Sequence, residues 1–192
     1  LQRLPTPENI TVHYTTNGSI FPNEQVLDVW KKFHTVIFAV SVDGINEQFN
    51  YVRWPLKWDK VQQNLFKLRD TKIQNLLFRV EFTASFLNIW YFDTVEKWVI
   101  DNFNSNFFGD KTELNIHLYT GEIFNVDFLS QALKDAILEK YSPDTKIYNL
   151  VKTTTPLSRF TPFFNFAKTW DNRRKLHWQD CFTDIKQYLN EI

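Results

Sequence analysis

Hydrophobic and polar positions along the chain follow two alternating patterns. Short runs rich in β-branched and aromatic residues indicate strands, and longer segments with an apolar residue every three or four positions indicate helices. The predicted strands cover residues 9–15, 35–41, 76–85 and 112–119. The predicted helices that follow them cover residues 23–33, 57–68, 93–103 and 126–141. The pattern therefore predicts four strand–helix units in a row.

This alternation predicts an α/β fold with a parallel sheet and helices on its outside. Four βα units are too few for a closed eight-stranded barrel, so they form part of a barrel or part of an open doubly wound sheet. The second strand, "TVIFAVS", is apolar throughout, as expected of a strand that is covered on both faces. The first strand, "ITVHYT", is too apolar for an edge, and we interpret it as having lost a neighbour on its N-terminal side.

The pattern changes after Tyr141. Residues 142–192 carry Pro143, Pro156 and Pro162, and they indicate short helical pieces, loops and one or two terminal helices. We therefore predict two regions. Residues 1–141 hold the four βα units, and residues 142–192 form a helical C-terminal extension packed on them.

Composition narrows the classes of function. The formal net charge is +0, with 22 Lys and Arg against 22 Asp and Glu, so no basic excess favours nucleic acid as a partner. Cys181 is the only cysteine, which excludes an internal disulfide or a multi-cysteine metal site within this chain and favours a cytoplasmic setting. No apolar run approaches the roughly 20 residues of a membrane span. The sequence contains no methionine, and we interpret the chain as a fragment or a processed product.

Polar side chains follow every predicted strand at the point where it ends. Ligands of parallel α/β folds bind beyond the carboxyl ends of the strands, so these positions are the candidates for a polar ligand site. In chain order they are Thr15, Thr16, Asn17 and Gly18; Ser41, Asp43 and Gly44, with Arg53 shortly after; Thr83, Ser85 and Asn88; and His117, Tyr119, Gly121 and Glu122.

These positions also have purely structural interpretations. Asn-Gly and Asp-Gly tolerate positive φ, so "TTNG" and "SVDG" can simply turn the chain from strand to helix. Arg53 can stack between Tyr51 and Trp54 as a cation–π contact, or it can hold a carboxylate in the fork of its guanidinium. Asp171 and Arg174 lie three positions apart on a predicted helix, a spacing typical of surface ion pairs. The sequence leaves these alternatives open.

With these residues identified, the chain resembles the C-terminal part of the core domain of radical S-adenosylmethionine (SAM) proteins, closest to the twitch- or SPASM-bearing type. The family pattern has "TNG" after one strand, "SIDG", "YIR" and a tryptophan after the next, a "TVS…N" strand end and a "D..R" motif near the C-terminus. The matching segments are "TTNGSIFP", "VSVDGINEQFNYVRWPLKWDKVQQNL", "FTASFLNIWYFDTVEKWV" and "WDNRRKLHWQDCFTDI". They cover most of the chain, and the second of them, which contains "SVDG" and "YVRW", is the part of the match most specific to the family. The sequence departs from the pattern at "TGEIFNVDFLSQ" and at the terminal "TDI".

The resemblance implies an incomplete (β/α)6 TIM-like barrel that binds SAM. A [4Fe–4S] cluster in such proteins cleaves SAM reductively, and the resulting 5′-deoxyadenosyl radical abstracts hydrogen from a substrate. The SAM-binding positions implied by the match are Thr16, Asn17, Ser41, Asp43, Arg53, Ser85 and Asn88. Of these, the first two would border the methionine moiety, Arg53 would hold its carboxylate, and the last two would face the ribose or the substrate.

The resemblance also implies what this chain lacks. The three-cysteine cluster motif and the glycine-glycine-glutamate motif of the family are absent. We therefore expect the cluster only in a full-length protein, whose missing N-terminal part would supply both motifs. This chain alone is expected to be inactive, and its substrate is either a peptide or a small molecule.

Two other functions fit the same pattern. A non-catalytic half-barrel or partner subunit would expose an apolar patch along the first strand that binds another chain. A nucleotide-sugar transferase would use Asp43 to hold a metal-bound diphosphate. Such sites usually have a second acidic residue two positions away, whereas Gly44 and Ile45 follow here.

Overall fold

The centre of the molecule is a four-stranded, all-parallel sheet whose strands lie side by side in chain order. The computed structural model describes residues 6–103, 112–118, 124–155 and 161–189. The strands are β1 (Thr11–Thr16), β2 (Thr35–Ser41), β3 (Leu76–Ala84) and β4 (Thr112–Leu118). The helices are α1 (Glu24–Trp30), α2 (Asn46–Val52), α3 (Trp58–Asp70), α4 (Phe92–Phe103), α5 (Gln131–Lys140), α6 (Lys146–Lys152), α7 (Thr161–Arg174) and α8 (Trp178–Cys181). The predicted α/β fold with a parallel sheet is confirmed.

Two helical segments differ from the prediction. Helix α2 was not predicted, and it lies between the turn at Gly44 and Arg53. The predicted helix at 126–141 begins later, because Leu129 is extended and the Ser130 side chain accepts a hydrogen bond from the Leu133 amide as the N-cap of α5. A single 3₁₀ turn, Val126–Phe128, precedes it. None of the described helices is both long enough and apolar enough to cross a bilayer.

The helix-facing side of the sheet forms the apolar core. Phe38 of β2 packs edge-on against Trp30 of α1, and Phe78 of β3 stacks on Phe103 of α4 with 4.3 Å between ring centroids. The five central residues of β2 are buried, as its continuous apolar run predicts. By contrast, β1 pairs only with β2 among the described strands, and most of its residues are exposed.

Charged pairs lie on the opposite face of the sheet. Successive side chains of a strand alternate between faces, so Arg79 and Glu81 of β3 point away from the helices. Arg79 Nη2 lies 2.5 Å from Glu113 Oε2 of β4, and Glu81 pairs with His117 of β4. The His117 side chain is 57% exposed, so this polar face is open to solvent at that position.

Aromatic contacts hold the C-terminal helices against the βα units. Phe163 of α7 meets Phe86 edge-on at 4.8 Å between ring centroids. Phe182, just after α8, packs edge-on against Tyr51 and Tyr91 at 5.7 and 5.8 Å. Aromatic pairs of this kind contribute about 0.5–1.5 kcal/mol each beyond the area they bury. The division of the chain at residue 141 stays a prediction.

Candidate ligand-binding site at the ends of strands β2 and β3

A cavity of about 410 Å³ lies at the carboxyl ends of β2 and β3. Its polar wall consists of Asp43, Arg53, Thr83, Ser85 and Asn88. Its apolar wall consists of Tyr51, Val52, Phe124 and Trp170. The volume lies within the range of about 300–1,000 Å³ typical of small-molecule sites. All five polar residues are among the strand-end candidates from the sequence, so the structure brings together two of the four predicted tips.

Asp43 and Arg53 form the charged centre of the cavity. Arg53 Nη2 lies 2.6 Å from Asp43 Oδ2, and the Thr83 amide donates to Asp43 Oδ1 at 2.8 Å. The Asp43 side chain is only 7% exposed. Burial raises the pKa of Asp43, and the nearby guanidinium and the Thr83 amide offset part of that rise. Arg53 Nε is buried without a hydrogen-bond partner in the described structure, so the guanidinium retains a donor that the protein does not use.

Asn88 ties the tips of β2 and β3 together. This fully buried side chain donates from Nδ2 to the carbonyls of Asp43 and Thr83, both at 2.9 Å. Its Oδ1 accepts from the amide and the hydroxyl of Ser85 at 2.7 and 3.0 Å. All four hydrogen-bonding positions of the amide are therefore used within the protein. Asn88 is a brace of the site, and its hydrogen-bonding capacity is already filled.

The short helix α2 returns the chain from Asp43 to Arg53. A Cβ at Gly44 would lie 2.8 Å from the Cβ of Gln48, so the turn packs against α2 only because Gly44 has no side chain. Phe49 is fully buried and anchors the helix, and its carbonyl accepts the hydrogen bond of the Arg53 amide at 2.8 Å. The helix thereby places Arg53 within reach of Asp43.

Arg174 makes the cation–π contacts that were one of the two alternatives predicted for Arg53. Its Cζ lies 3.3 Å from the ring centroid of Trp170, 5.5 Å from that of Tyr51 and 5.7 Å from that of Trp54. Its Nη1 also donates to the Tyr51 carbonyl at 2.7 Å. Of its two predicted alternatives, Arg53 therefore adopts the pairing with a carboxylate, and that carboxylate is Asp43 of the same chain.

Asp171 does not form the expected surface pair with Arg174. The described ion pairs include none between these two residues, and Asp171 is buried. Its Oδ2 accepts weakly from the Trp178 amide at 3.4 Å and lies 3.7 Å from His177 Nδ1. Burial, with the Asp171 carboxylate close by, raises the pKa of Tyr51 well above its ordinary value. Asp171 therefore joins the ends of α7 and α8 behind the aromatic wall.

The tip of β1 does not line the cavity. Thr16 Oγ1 accepts from the Gly18 amide at 3.1 Å, and Asn17 Oδ1 accepts from the amide and hydroxyl of Ser19 at 3.1 and 2.8 Å. These are the bonds of a local turn, which is the structural interpretation of "TTNG". Ser41, at the end of β2, also lies outside the cavity lining. The assignment of Thr16, Asn17 and Ser41 to SAM stays a prediction.

The tip of β4 is only partly described. His117 pairs with Glu81 on the polar face of the sheet. Tyr119, Gly121 and Glu122 lie outside the described residues. This tip therefore contributes no described residue to the cavity lining.

The aromatic wall was not predicted. Phe124 and Trp170 pack with 5.3 Å between ring centroids, and they come from the segment after β4 and from α7. With 17% aromatic residues in the chain, no local signal distinguishes these two from aromatic core residues. Their place in the cavity follows from how the C-terminal helices pack.

No group of three or more His, Cys, Asp or Glu side chains that could hold a metal ion occurs in the part of the chain that is described. Cys181 is buried, and burial raises the pKa of its thiol to about 11. Comparison of the chain with protein-family models, curated proteins and solved structures gave no match.

Proposed function

We propose that the cavity binds a small zwitterionic ligand with an aromatic group, and that this ligand is SAM. The observation that carries the proposal is the ion pair of the buried Asp43 with the partly exposed Arg53 at an aromatic-walled cavity. SAM has an ammonium, a carboxylate and an adenine ring. The carboxylate of Asp43 suits the ammonium, the partly exposed guanidinium of Arg53 suits the carboxylate, and Trp170 and Phe124 offer surfaces for the ring. The resemblance to radical SAM proteins supports the same ligand.

The same proposal makes the sheet an arc of a TIM-like partial barrel. A doubly wound sheet reverses its strand order at the point where the ligand binds, whereas the four described strands run in chain order without reversal. The face turned away from the helices also carries ion pairs, with Arg79 paired to Glu113 and Glu81 paired to His117. A ligand-lined barrel interior suits such a face better than a second helical layer does.

The residues of this chain do not fit an iron–sulfur cluster. Such a cluster needs several thiolates, and the sequence has a single cysteine that is buried, with a raised thiol pKa. We therefore propose SAM binding for this chain and assign it no step of the radical chemistry. In that role Asp43 and Arg53 orient the amino-acid end of the ligand, and the aromatic wall excludes water from it.

Isothermal titration calorimetry with SAM tests the proposal. We expect saturable binding of SAM and of S-adenosylhomocysteine, with weaker binding of methionine or adenosine alone. Arg53→Gln should weaken SAM binding by about ten- to a hundredfold, the loss expected when a charge-assisted hydrogen bond is removed. Arg173→Ala, an exposed arginine on α7, is the matched control and should bind as wild type does. Absence of saturable heat with millimolar SAM, or equal affinity in the Arg53 variant, contradicts the proposal.

The exposed strand β1 supports a second candidate, a half-barrel that binds another chain. Its outer edge has no partner among the described strands, and Tyr14 remains 39% exposed on it. An unpaired edge strand is a template for a strand from elsewhere. Light scattering that shows a stable monomer at every concentration would contradict this candidate. The nucleotide-sugar transferase gains no support, because the described lining of the cavity has no second acidic side chain beside Asp43 to hold a metal ion.

A further inference from the structure

We infer that Arg174 is a positioning residue of the ligand site, which holds two of its walls in place without touching the ligand. The inference rests on the proposed function for the identity of the ligand. The two walls are the indole of Trp170 and the C-terminal end of α2, where Tyr51 lies two residues before Arg53.

The guanidinium of Arg174 makes two contacts at the same time. Its Cζ lies 3.3 Å from the ring centroid of Trp170, the separation of a stacked pair. Its Nη1 donates to the carbonyl of Tyr51 at 2.7 Å. Trp170 and Tyr51 both line the cavity, and they belong to α7 and α2. A single side chain therefore joins the two helices across the cavity wall.

The segment that Arg174 holds ends at the arginine of the ion pair. Tyr51 precedes Arg53 near the end of α2, and Arg53 Nη2 lies 2.6 Å from Asp43 Oδ2. A displaced Tyr51 carbonyl moves the backbone from which Arg53 reaches its partner. Binding groups have to be held to within about 0.5 Å, so loss of the Arg174 contact should be detected at Arg53.

The arrangement also explains why the residue is an arginine. A planar guanidinium can stack on an indole face while its N–H groups donate within the plane, and a lysine ammonium can donate but cannot stack. The surface interpretation, in which Arg174 pairs with Asp171, does not hold among the described ion pairs. Asp171 Oδ2 instead faces the Trp178 amide.

The test combines SAM affinity with a measurement that needs no ligand. The variants are Arg174→Ala, which removes both contacts, and Arg174→Lys, which retains the charge and a donor for Tyr51 but loses the stacking. The ligand-free measurement is the hydrogen-exchange rate of the Arg53 Nε–H group by NMR, assigned from its disappearance in Arg53→Lys. This group is buried in the wild type and should exchange slowly. Arg173→Ala controls for the charge, and Ile137→Val, a buried position outside the cavity lining, controls for general loss of stability.

We expect Arg174→Ala to accelerate exchange of the Arg53 Nε–H group and to weaken SAM binding, each by about tenfold or more. Arg174→Lys should restore much of the Arg53 protection, because the donor to Tyr51 is retained. Both control variants should match wild type in these two measurements. An unchanged exchange rate of the Arg53 Nε–H group in Arg174→Ala, or an equal change in Ile137→Val, overturns the inference regardless of the SAM affinities. If wild type fails to bind SAM while Arg174→Ala still exposes Arg53, the proposed ligand is wrong and the positioning role stands.

Discussion

Replacement of Asn88 by aspartate should destabilise the protein in a way that depends on pH. The two side chains have nearly the same shape, but the substitution exchanges the Nδ2 donor for an oxygen. In the structure Nδ2 donates to the carbonyls of Asp43 and Thr83, both at 2.9 Å, and the residue is fully buried. The introduced carboxylate would therefore face two carbonyl oxygens at a fully buried position. The Ser85 donors on the other side, at 2.7 and 3.0 Å, are retained.

The magnitude follows from the bonds that are lost. A buried carbonyl without its donor costs about 1–3 kcal/mol, so two of them cost about 2–6 kcal/mol. When the introduced carboxyl is protonated it can donate one hydrogen bond, which leaves a loss of about 1–3 kcal/mol. Burial and the facing carbonyls raise its pKa in the folded state above that in the unfolded state. Its contribution is therefore favourable below the unfolded pKa and is lost as pH rises towards the folded pKa, by about 1.4 kcal/mol per pH unit.

Urea denaturation at pH 4.5 and pH 8 measures this difference. The free energy of unfolding of Asn88→Asp, relative to wild type at the same pH, should fall much further at pH 8 than at pH 4.5. Asn172→Asp introduces the same charge at an exposed position of α7 and should differ from wild type by less than about 0.5 kcal/mol at both values. A loss below about 1 kcal/mol, or one that is equal at both pH values, would refute the role of Asn88 as the brace of the two strand tips.

Three further predictions concern the turn, the buried acid and the open face of the sheet. Gly18→Ala should cost about 1–3 kcal/mol in thermal or urea unfolding, because Gly18 has a φ of 75° and a Cβ there would lie 2.9 Å from Val61 Cγ1. Burial raises the pKa of Asp43, so ionisation of this group lowers the free energy of unfolding as pH rises from its unfolded pKa to its folded pKa. In urea titrations from pH 3.5 to 7, the free energy of unfolding of Asp43→Asn should therefore fall less than that of wild type. A double-mutant cycle on Arg79 and Glu113, whose side chains are 22% and 41% exposed, should give a coupling below about 1 kcal/mol.

The sheet could be predicted because its strands are apolar runs bounded by turn residues. Strand β2 has the predicted bounds, and the described ends of the others differ from prediction by no more than two residues. Helix α2 escaped prediction for a physical reason. It has only seven residues, too few for intrinsic propensity to stabilise it, and its stability comes from the burial of Phe49 against Trp58 and of Tyr51 against Phe182. Contacts of that kind have no signature in the local sequence.

The candidate site could be predicted where it depends on strand order, and not where it depends on side-chain direction. Adjacent parallel strands end at the same edge, so Asp43 comes close to Thr83 and Asn88, as expected. The same reasoning would include Thr16 and Asn17, yet their side chains bond to their own turn. A side chain that forms a turn and a side chain that binds a ligand can be the same residue type at the same position after a strand. Only the hydrogen bonds distinguish them.

The exchange of roles between Arg53 and Arg174 has the same origin. In the sequence Arg53 lies next to Trp54 and close to Tyr51, which suggests stacking among the three. Helix α2, however, ends at Val52, and Arg53 is its C-cap with a backbone outside the helical region, so the helical spacing does not continue from Tyr51 through Arg53 and Trp54. Arg53 consequently turns to Asp43, and the faces of Tyr51 and Trp54 are left for a cation from elsewhere, which Arg174 provides from 123 positions away along the chain. The ion pair of Arg53 and the cation–π contacts of Arg174 therefore belong to the same chain segment, and the carboxylate and the two aromatic faces each have their own arginine.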